Sequence, residues 1–120
     1  MSEKVALDEL GNRLQEFDVA YLVTVSDAGR SHVLSVWPEL GASGLVVDGC
    51  GRHSQENATA HPDVTLVWSP AQSGGYSLIV DGAATVDGPT ITVAPTKAIL
   101  HRPAAGPDGR RAGSDCAEIT

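Results

Sequence analysis

Residues 45–68 read LVVDGCGRHSQENATAHPDVTLVW, and this stretch sets the expected architecture of the whole chain. It opens with a β-branched run that stops at a turn with two glycines, which permit backbone angles closed to other residues. Ser54 is a suitable helix N-cap and Pro62 cannot continue a helix, so residues 55–61 are predicted to form about two helical turns. Residues 64–68 alternate again as a strand. The predicted order is strand, glycine-rich turn, short helix and strand.

The start of that helix is a candidate anion site. A helix N-terminus presents unpaired N–H groups and a partial positive charge. Arg52 and His53 come just before Ser54, and Arg52 is the only Lys or Arg between residues 31 and 96 of a chain whose formal charge is -7. This lone cation is therefore a candidate phosphate clamp. The alternative is that Ser54 only caps a connecting helix while the Arg52 side chain is solvated, and the local sequence leaves both readings open.

The composition describes one acidic domain. Its 120 residues are 42% hydrophobic but only 4% aromatic, so aliphatic side chains must fill the core. The negative charge argues against nonspecific nucleic-acid binding, which needs a cationic face. We find no run of the roughly 20 apolar residues that a membrane span needs, and no secretory signal. Cys50 and Cys116 do not make a disulfide framework, so a cytoplasmic location is expected.

Six strands and a leading helix are predicted along the chain. Leu7, Leu10, Leu14 and Phe17 fall on one stripe, which predicts an amphipathic helix over about residues 3–16. The strands are expected at residues 19–26, 31–37, 45–47, 64–68, 76–86, and 90–94 continuing through 97–101.

The connections between these strands predict the fold class. Asp81 and Gly82 lie inside the fifth strand and predict a bulge or bend. Six antiparallel strands with short turns and no βαβ periodicity most simply close into a barrel, which makes this a mainly β protein of the α+β class. Residues 1–103 are expected to form that domain. Residues 104–120, rich in Gly, Pro and Ala, are expected to be a disordered tail.

This order of elements resembles the split β-barrel proteins that bind flavins, the pyridoxamine 5′-phosphate oxidase-like family. Three segments carry the resemblance: AYLVTVSDAGRSHVLSVWP at residues 20–38, GRHSQENATAHPDVTLVW at residues 51–68 and KAILHRP at residues 97–103. The resemblance covers roughly residues 5–103 and implies a six-stranded split barrel with its short helix between the third and fourth strands.

The resemblance also implies a cofactor site. The phosphate of FMN, or of the alternative deazaflavin F420, would lie against Arg52, His53 and Ser54, and Asn57 would reach the ribityl chain or the ring edge. The ring would lie along the second strand, where backbone groups near Ser35 and Val36 can bond its polar edge. His32 stands on that strand where a further cation would help to hold the phosphate.

Family members are usually homodimers whose two sites are built from both chains. By position, Trp68, Tyr76, His101 and Arg102 are candidates to close the site from the partner. The resemblance thus implies an oxidoreductase-like protein that acts on an unidentified small molecule. The substrate-recognition segment of the true oxidase is missing after residue 103, so pyridoxamine phosphate oxidation is not expected. The alternatives are a non-catalytic carrier of flavin, F420 or a haem-like ligand, and a dimeric barrel that holds no ligand.

The remaining polar residues give weaker signals. Cys50 lies near a helix start, where the pKa of a thiol can fall, so a reactive cysteine is one reading. His61 precedes a proline at the helix end and is expected only to complement the helix dipole. We find no pattern for a metal site or a hydrolytic triad, and no side chain to assign as a catalytic acid or base.

Overall fold

Eight antiparallel strands and two short helices make up the computed structural model, which describes residues 2–103. The strands are β1 (Ser2–Val5), β2 (Ala20–Val25), β3 (Ser31–Val36), β4 (Glu39–Gly41), β5 (Gly44–Val47), β6 (Asp63–Trp68), β7 (Ser77–Asp87) and β8 (Thr90–His101). Helix α1 (Leu10–Leu14) follows a 3-10 turn (Leu7–Glu9), and α2 (Arg52–Ala60) connects β5 to β6. The predicted tail at residues 104–120 lies outside the described residues.

The sheet runs in the order β3-β2-β6-β7-β8-β5-β4, and β1 also pairs with β8. Its two end strands, β3 and β4, are joined by only Trp37 and Pro38. A link of this length spans at most about 11 Å, so the sheet must curl until its ends meet. The closed, antiparallel arrangement confirms the predicted β-rich split barrel.

Alternating side chains fill the barrel because successive residues of a strand point to opposite faces. On β2 the inward residues Ala20, Leu22 and Thr24 are all fully buried. Inward residues on the other long strands, Val64, Leu66, Trp68, Leu78, Val80, Ile91 and Val93, are likewise buried. Helix α2 packs against β2, β3 and β7 and adds Ala58 to the core. Neither helix of the described chain has the length and apolar character needed to cross a membrane.

The irregularity predicted at Asp81 and Gly82 of β7 is confirmed, but the extra, unpaired residue is Thr96 on β8, because Asp81 pairs with Lys97 and Gly82 with Pro95. The pairing of β7 with β8 shifts register between Asp81 and Gly82. Gly82 is needed there because a Cβ atom would lie 2.5 Å from the carbonyl oxygen of Ala94 and 2.6 Å from Cγ1 of Val93. The bend lets β7 pair along its length with β8, whose Pro95 lies opposite Gly82.

Two predictions about the elements are wrong. The stretch at residues 3–16 is not one helix, because Ser2–Val5 pairs with the open edge of β8 and only Leu10–Leu14 is α-helical. The expected stripe survives in part, since Leu10 is buried while Leu7 is 46% exposed. The count of six strands is also too low by two, because β1 and the three-residue β4 were not expected.

Candidate functional site

The start of α2 differs from the prediction in its first residue. The helix begins at Arg52, with Gly51 as an extended N-cap that offers no side-chain cap. Ser54 is therefore not the N-cap but sits inside the first turn, where it is 1% exposed. Its hydroxyl oxygen is the one buried side-chain polar atom without a hydrogen-bond partner among residues 2–103. A glycine in extended conformation can begin a helix without a capping side chain, so the sequence pattern misplaced the start by three residues.

The first turn of α2 nevertheless has the features of an anion site. The first intrahelical bond runs from the N–H of Gln55 to the carbonyl of Gly51, at 3.0 Å. The N–H groups of Arg52, His53 and Ser54 precede it and have no intrahelical acceptor. The Arg52 side chain is 81% exposed, and its Nε lies 4.0 Å from Oε2 of Glu56 one turn along the helix. An open groove of about 460 Å³ runs beside these residues, between α2 and Val86 of β7.

Two histidines from different elements meet at this helix start. The rings of His32 on β3 and His53 on α2 have their centroids 6.0 Å apart with a tilt of 45°. His32 stands opposite Thr24 in the β2–β3 register. The fold therefore brings His32 to His53, two of the residues that the family resemblance implied, beside the helix turn that also holds Arg52 and Ser54.

Asn57 has a structural partner that the sequence did not reveal. Its side-chain amide donates a hydrogen bond to the hydroxyl of Thr24, at 3.2 Å. Thr24 is fully buried on the inner face of β2, so this bond attaches the middle of α2 to that strand. A role for Asn57 toward a ligand stays a prediction.

The opposite end of α2 is also fastened. Nε2 of His61 lies 2.8 Å from Oδ1 of Asp27, in the turn between β2 and β3. His61 was expected only to complement the helix dipole, and this contact across 34 residues could not be read from local spacing. It adds a second link between α2 and the β2–β3 hairpin.

Ser35 and Val36 lie on an edge strand. β3 ends the strand order, so one of its edges has no strand partner and its backbone groups there are outside the ladder. Ser35 is exposed on the outer face, while Val36 is 6% exposed and faces the core. His32 and Ser35 are three strand residues apart, about 10 Å along β3.

The residues expected to close the site from a partner do not form one group. Trp68 is 2% exposed in the barrel core, so its prediction as a residue that reaches a partner's site is wrong. Tyr76 packs under Arg102, whose guanidinium carbon lies 4.5 Å from the ring centroid in a cation–π contact. His101 instead meets the N-terminal strand, with its Nδ1 3.1 Å from the hydroxyl of Ser2.

Cys50 lies in surroundings that disfavour its thiolate form. It is 3% exposed, and its Sγ lies 3.7 Å from the carbonyl oxygen of Val47. Burial raises the pKa of the Cys50 thiol, and the negative charge of Asp48 raises it further, against a smaller lowering by a backbone hydrogen bond at Ile91. Burial and the charge of Asp48 therefore act against the reading of Cys50 as an activated nucleophile. Residues 2–103 contain no cluster of three or more His, Cys, Asp or Glu that could hold a metal ion.

The outer face of the β2–β3 hairpin is apolar, as the alternation along β2 predicts. Its exposed hydrophobic side chains are Tyr21 (38%), Val25 (37%), Val33 (56%) and, just after β3, Trp37 (70%). None of the outward positions on these two strands carries a charge, although the chain has 15 acidic residues.

Sequence comparison identifies two relatives, and no family model matches the chain. They are the uncharacterized proteins Mb0449c of Mycobacterium bovis and MT0457 of Mycobacterium tuberculosis. Each is 38% identical over 131 residues, which cover 96% of this chain and 92% of the relative. At this identity and coverage the three proteins share a family.

Solved structures with similar backbones support the fold. A candidate pyridoxamine 5′-phosphate oxidase from Listeria innocua matches with a TM-score of 0.64 at 16% identity, covering 78% of this chain and 95% of its own. A FAD-binding protein from Mycobacterium smegmatis matches with a TM-score of 0.59 at 16% identity, and the match covers 85% of this chain and 100% of that protein. The haem storage protein HutZ from Vibrio cholerae matches with a TM-score of 0.58 at 17% identity, and the match covers 78% of this chain and 92% of HutZ. The chain therefore belongs to the family of the two mycobacterial proteins and has the split-barrel fold of the pyridoxamine 5′-phosphate oxidase-like proteins.

Proposed function

We propose that the protein binds a flavin-type cofactor, FMN or F420, with the phosphate at the start of α2 and the ring at the edge of β3. The observation that carries the proposal is the meeting of His32 with His53 at a helix start that has unpaired N–H groups and whose first residue is Arg52. The similarity in fold to a protein described as FAD-binding supports a ligand of this type.

The phosphate end of the proposed site combines several weak contacts. The Arg52 guanidinium is a fixed charge, and the first-turn N–H groups of α2 add donors and a favourable dipole. The rings of His32 and His53 add two further nitrogen-bearing groups beside them. The hydroxyl of Ser54 is a buried polar atom in the same turn that the fold itself does not satisfy. A charge-assisted hydrogen bond contributes about 1.5–3 kcal/mol, so a few such contacts suffice for specific binding.

The ring end of the proposed site rests on backbone groups. The free edge of β3 near Ser35 and Val36 presents N–H and C=O groups that can bond the polar edge of a planar heterocycle. Because backbone groups make these contacts, the side chains at the two positions can differ without changing the mode of binding.

The proposal includes a homodimer with a site at each end of the interface. Each copy has a formal charge of -7, so two copies that meet through other surfaces repel each other, whereas the apolar face of β2 and β3 carries no charge. The outer face that carries Tyr21, Val33 and Trp37 is therefore the surface on which a second copy fits best. The β3 edge borders this face, so a partner would cover the ring.

The proposed activity is that of an oxidoreductase-like protein in the cytoplasm, with an unidentified small-molecule substrate. A bound flavin or deazaflavin would supply the hydride chemistry, while this chain positions it and excludes water. The side chains of the site bind and orient, and none is assigned as a general acid or base.

A second candidate is the non-catalytic storage or transport of a haem-like ligand. It is favoured by the similarity in fold to a haem storage protein and by the pair of imidazoles at His32 and His53, since imidazole is a common haem ligand. In this case the ligand would lie beside His32 and His53 at the start of α2.

Titration of the purified protein with FMN, F420, riboflavin and haemin tests both candidates. Absorbance and fluorescence changes report binding, and riboflavin lacks the phosphate. The proposal expects a phosphate-bearing flavin to bind more tightly than riboflavin. Saturable binding of haemin alone would favour the second candidate, and no binding of any of the four would contradict both.

A further inference from the structure

The only two lysines of the chain, Lys4 and Lys97, lie at the same cavity. This cleft has a volume of about 560 Å³ and is lined by residues 4–7 and 96–98. It lies on the barrel wall formed by β1 and β8, whereas Arg52 and His53 lie on α2. We refer to it as the lysine cleft.

The lysine cleft occupies a gap in the sheet. On one side β8 pairs with β7 along its length, while its other edge is shared by β5 and β1. Strand β5 pairs with residues 91–93 and β1 with residues 98–101, so residues 94–97 have no strand partner on that edge. Backbone groups on this part of the edge are outside the ladder and open to the cleft.

The register places both lysine side chains on the outer face. Lys4 stands opposite Ile99, and Lys97 lies two residues earlier on β8. The two lysines are therefore diagonal neighbours, whose Cα atoms lie roughly 7–8 Å apart. The alternate residues Val5 and Ala98 face the core instead. Leu7 is 46% exposed at the end of the cleft and gives it an apolar wall.

Lys97 has a carboxylate opposite it in the neighbouring strand, but neither lysine forms a salt bridge within the described chain. No salt bridge among residues 2–103 includes Lys4 or Lys97, although the sequence contains 15 acidic residues. The carboxylate placed opposite Lys97 by the register is Asp81, and its Oδ1 accepts a hydrogen bond from Thr65 at 2.7 Å. Two like charges held side by side destabilise the fold slightly, and an anion between them would remove that cost.

We propose that the lysine cleft is a second anion site, for a small organic phosphate with an apolar group. Two ammonium groups match the charge of a phosphate dianion, and lysine binds phosphate as a compact point charge. The apolar wall at Leu7 suits a short hydrocarbon or aromatic substituent, and the volume is in the range of small-molecule sites. The site does not depend on the flavin proposed for α2.

Phenyl phosphate is the probe, and NMR of the lysine side chains is the readout. Because the chain has two lysines, the Cε–Hε region should show two signals, which Lys4→Gln and Lys97→Gln assign. Both signals should shift along one saturating curve with a single Kd. Each single variant should weaken binding at least about fivefold through loss of a charge-assisted contact, with an unchanged melting temperature. Benzoate, a monoanion with the same ring, should bind more weakly.

Two matched variants separate the lysine cleft from other causes. Arg30→Gln removes the same charge from the exposed β2–β3 turn and should change the Kd less than about twofold. Arg52→Ala should also leave the Kd at the lysine signals unchanged. If Arg30→Gln weakened phenyl phosphate binding as much as the lysine variants do, the effect would be a general attraction of the anion to positive charge, and the proposal would be overturned. Signals that move with different constants or never saturate would do the same, as would a fall in light-scattering mass in Lys4→Gln, which would assign the lysines to a contact between copies.

Discussion

Ser54 has the side chain of a helix N-cap but occupies the third position of α2, with its hydroxyl buried and unpaired. Local spacing identified the helix and the segments on either side of it, because the glycine, serine and proline residues of this stretch mark where a helix can begin and end. It could not identify the first residue, because the backbone of Gly51 serves as the cap. The meeting of His32 with His53 was also beyond local spacing, since it depends on how α2 lies over β3. The family resemblance, and not the pattern, placed these two histidines in one site.

Replacing Arg52 with alanine tests the phosphate clamp. The change should weaken FMN binding by about 2–3 kcal/mol, or roughly 30- to 150-fold, because it removes a charge-assisted contact to a dianion. Riboflavin should bind the variant and the wild type alike. The side chain is 81% exposed and its pairing with Glu56 contributes at most about 1 kcal/mol, so the melting temperature should barely move. Equal FMN affinity in the two proteins would remove Arg52 from the site.

Burial of Cys50 predicts a loss of stability at alkaline pH. The folded protein raises the pKa of this thiol above its ordinary value of 9.0, mainly by desolvation, so folding favours the neutral form. The resulting stabilisation is complete below pH 9.0 and is lost as the pH rises through the raised pKa. Denaturant unfolding of wild type and Cys50→Ala should show a free-energy difference that narrows above this pH. A difference that stays constant with pH would contradict the prediction.

Six of the eight strands could be predicted because each carries either an alternating pattern or, in β5, a β-branched run that ends at a glycine turn. β2 and β6, for example, have buried residues at every second position. β1 and β4 carry no such pattern, with four and three residues that are mostly exposed, and they form only because β8 and β5 offer an edge. The stripe from Leu7 to Phe17 predicted a helix correctly in kind but not in length, since pairing with β8 overrides helix formation over Ser2–Val5.

The attachment of α2 to the barrel should depend on Asn57 and Thr24 as a pair. Asn57→Leu would leave the fully buried hydroxyl of Thr24 without its donor, at a cost of about 1–3 kcal/mol in the free energy of unfolding. Adding Thr24→Val should recover much of this loss, because removing both partners leaves nothing unpaired. Thermal unfolding of the two single variants and the double variant measures the coupling. Additive losses would show that the bond does not fasten the helix.

The bulge between β7 and β8 should tolerate no side chain at Gly82. A Cβ atom there would meet backbone of β8, at 2.5 Å from the oxygen of Ala94, and backbone cannot move aside as a flexible side chain can. Gly82→Ala should therefore lower the free energy of unfolding by about 1–3 kcal/mol. Gly41→Ala is the control, since its Cβ would meet Cγ2 of Val46 at an ordinary 3.5 Å. Similar denaturation midpoints for the two variants would show that the strands can separate at the bulge.

At the scale of the whole molecule, the barrel closes a core but leaves one apolar face on the outside. The 15 acidic residues avoid the outward positions of β2 and β3, so two negatively charged copies can meet there without bringing charges together. The free edge of β3 borders this face, whereas α2 contacts the inner face of the same two strands through Thr24 and His32. A second copy on this face would cover the free edge of β3 and would shield a flavin ring bound there from water.

Dimerisation through this face is therefore the prediction on which the proposed function most depends. Light scattering at micromolar concentration should give about twice the chain mass of 12.4 kDa. Val33→Asp places a charge on a side chain that is 56% exposed at the centre of the face, so two charges would be buried on association and the dimer should dissociate. Leu40→Asp, on β4 and 48% exposed, adds the same charge elsewhere and should leave the mass unchanged. Because a monomer leaves the ring exposed, Val33→Asp should also weaken riboflavin and FMN by similar factors, unlike Arg52→Ala. A wild-type mass near that of one chain would instead mean that a monomer must hold any ligand alone.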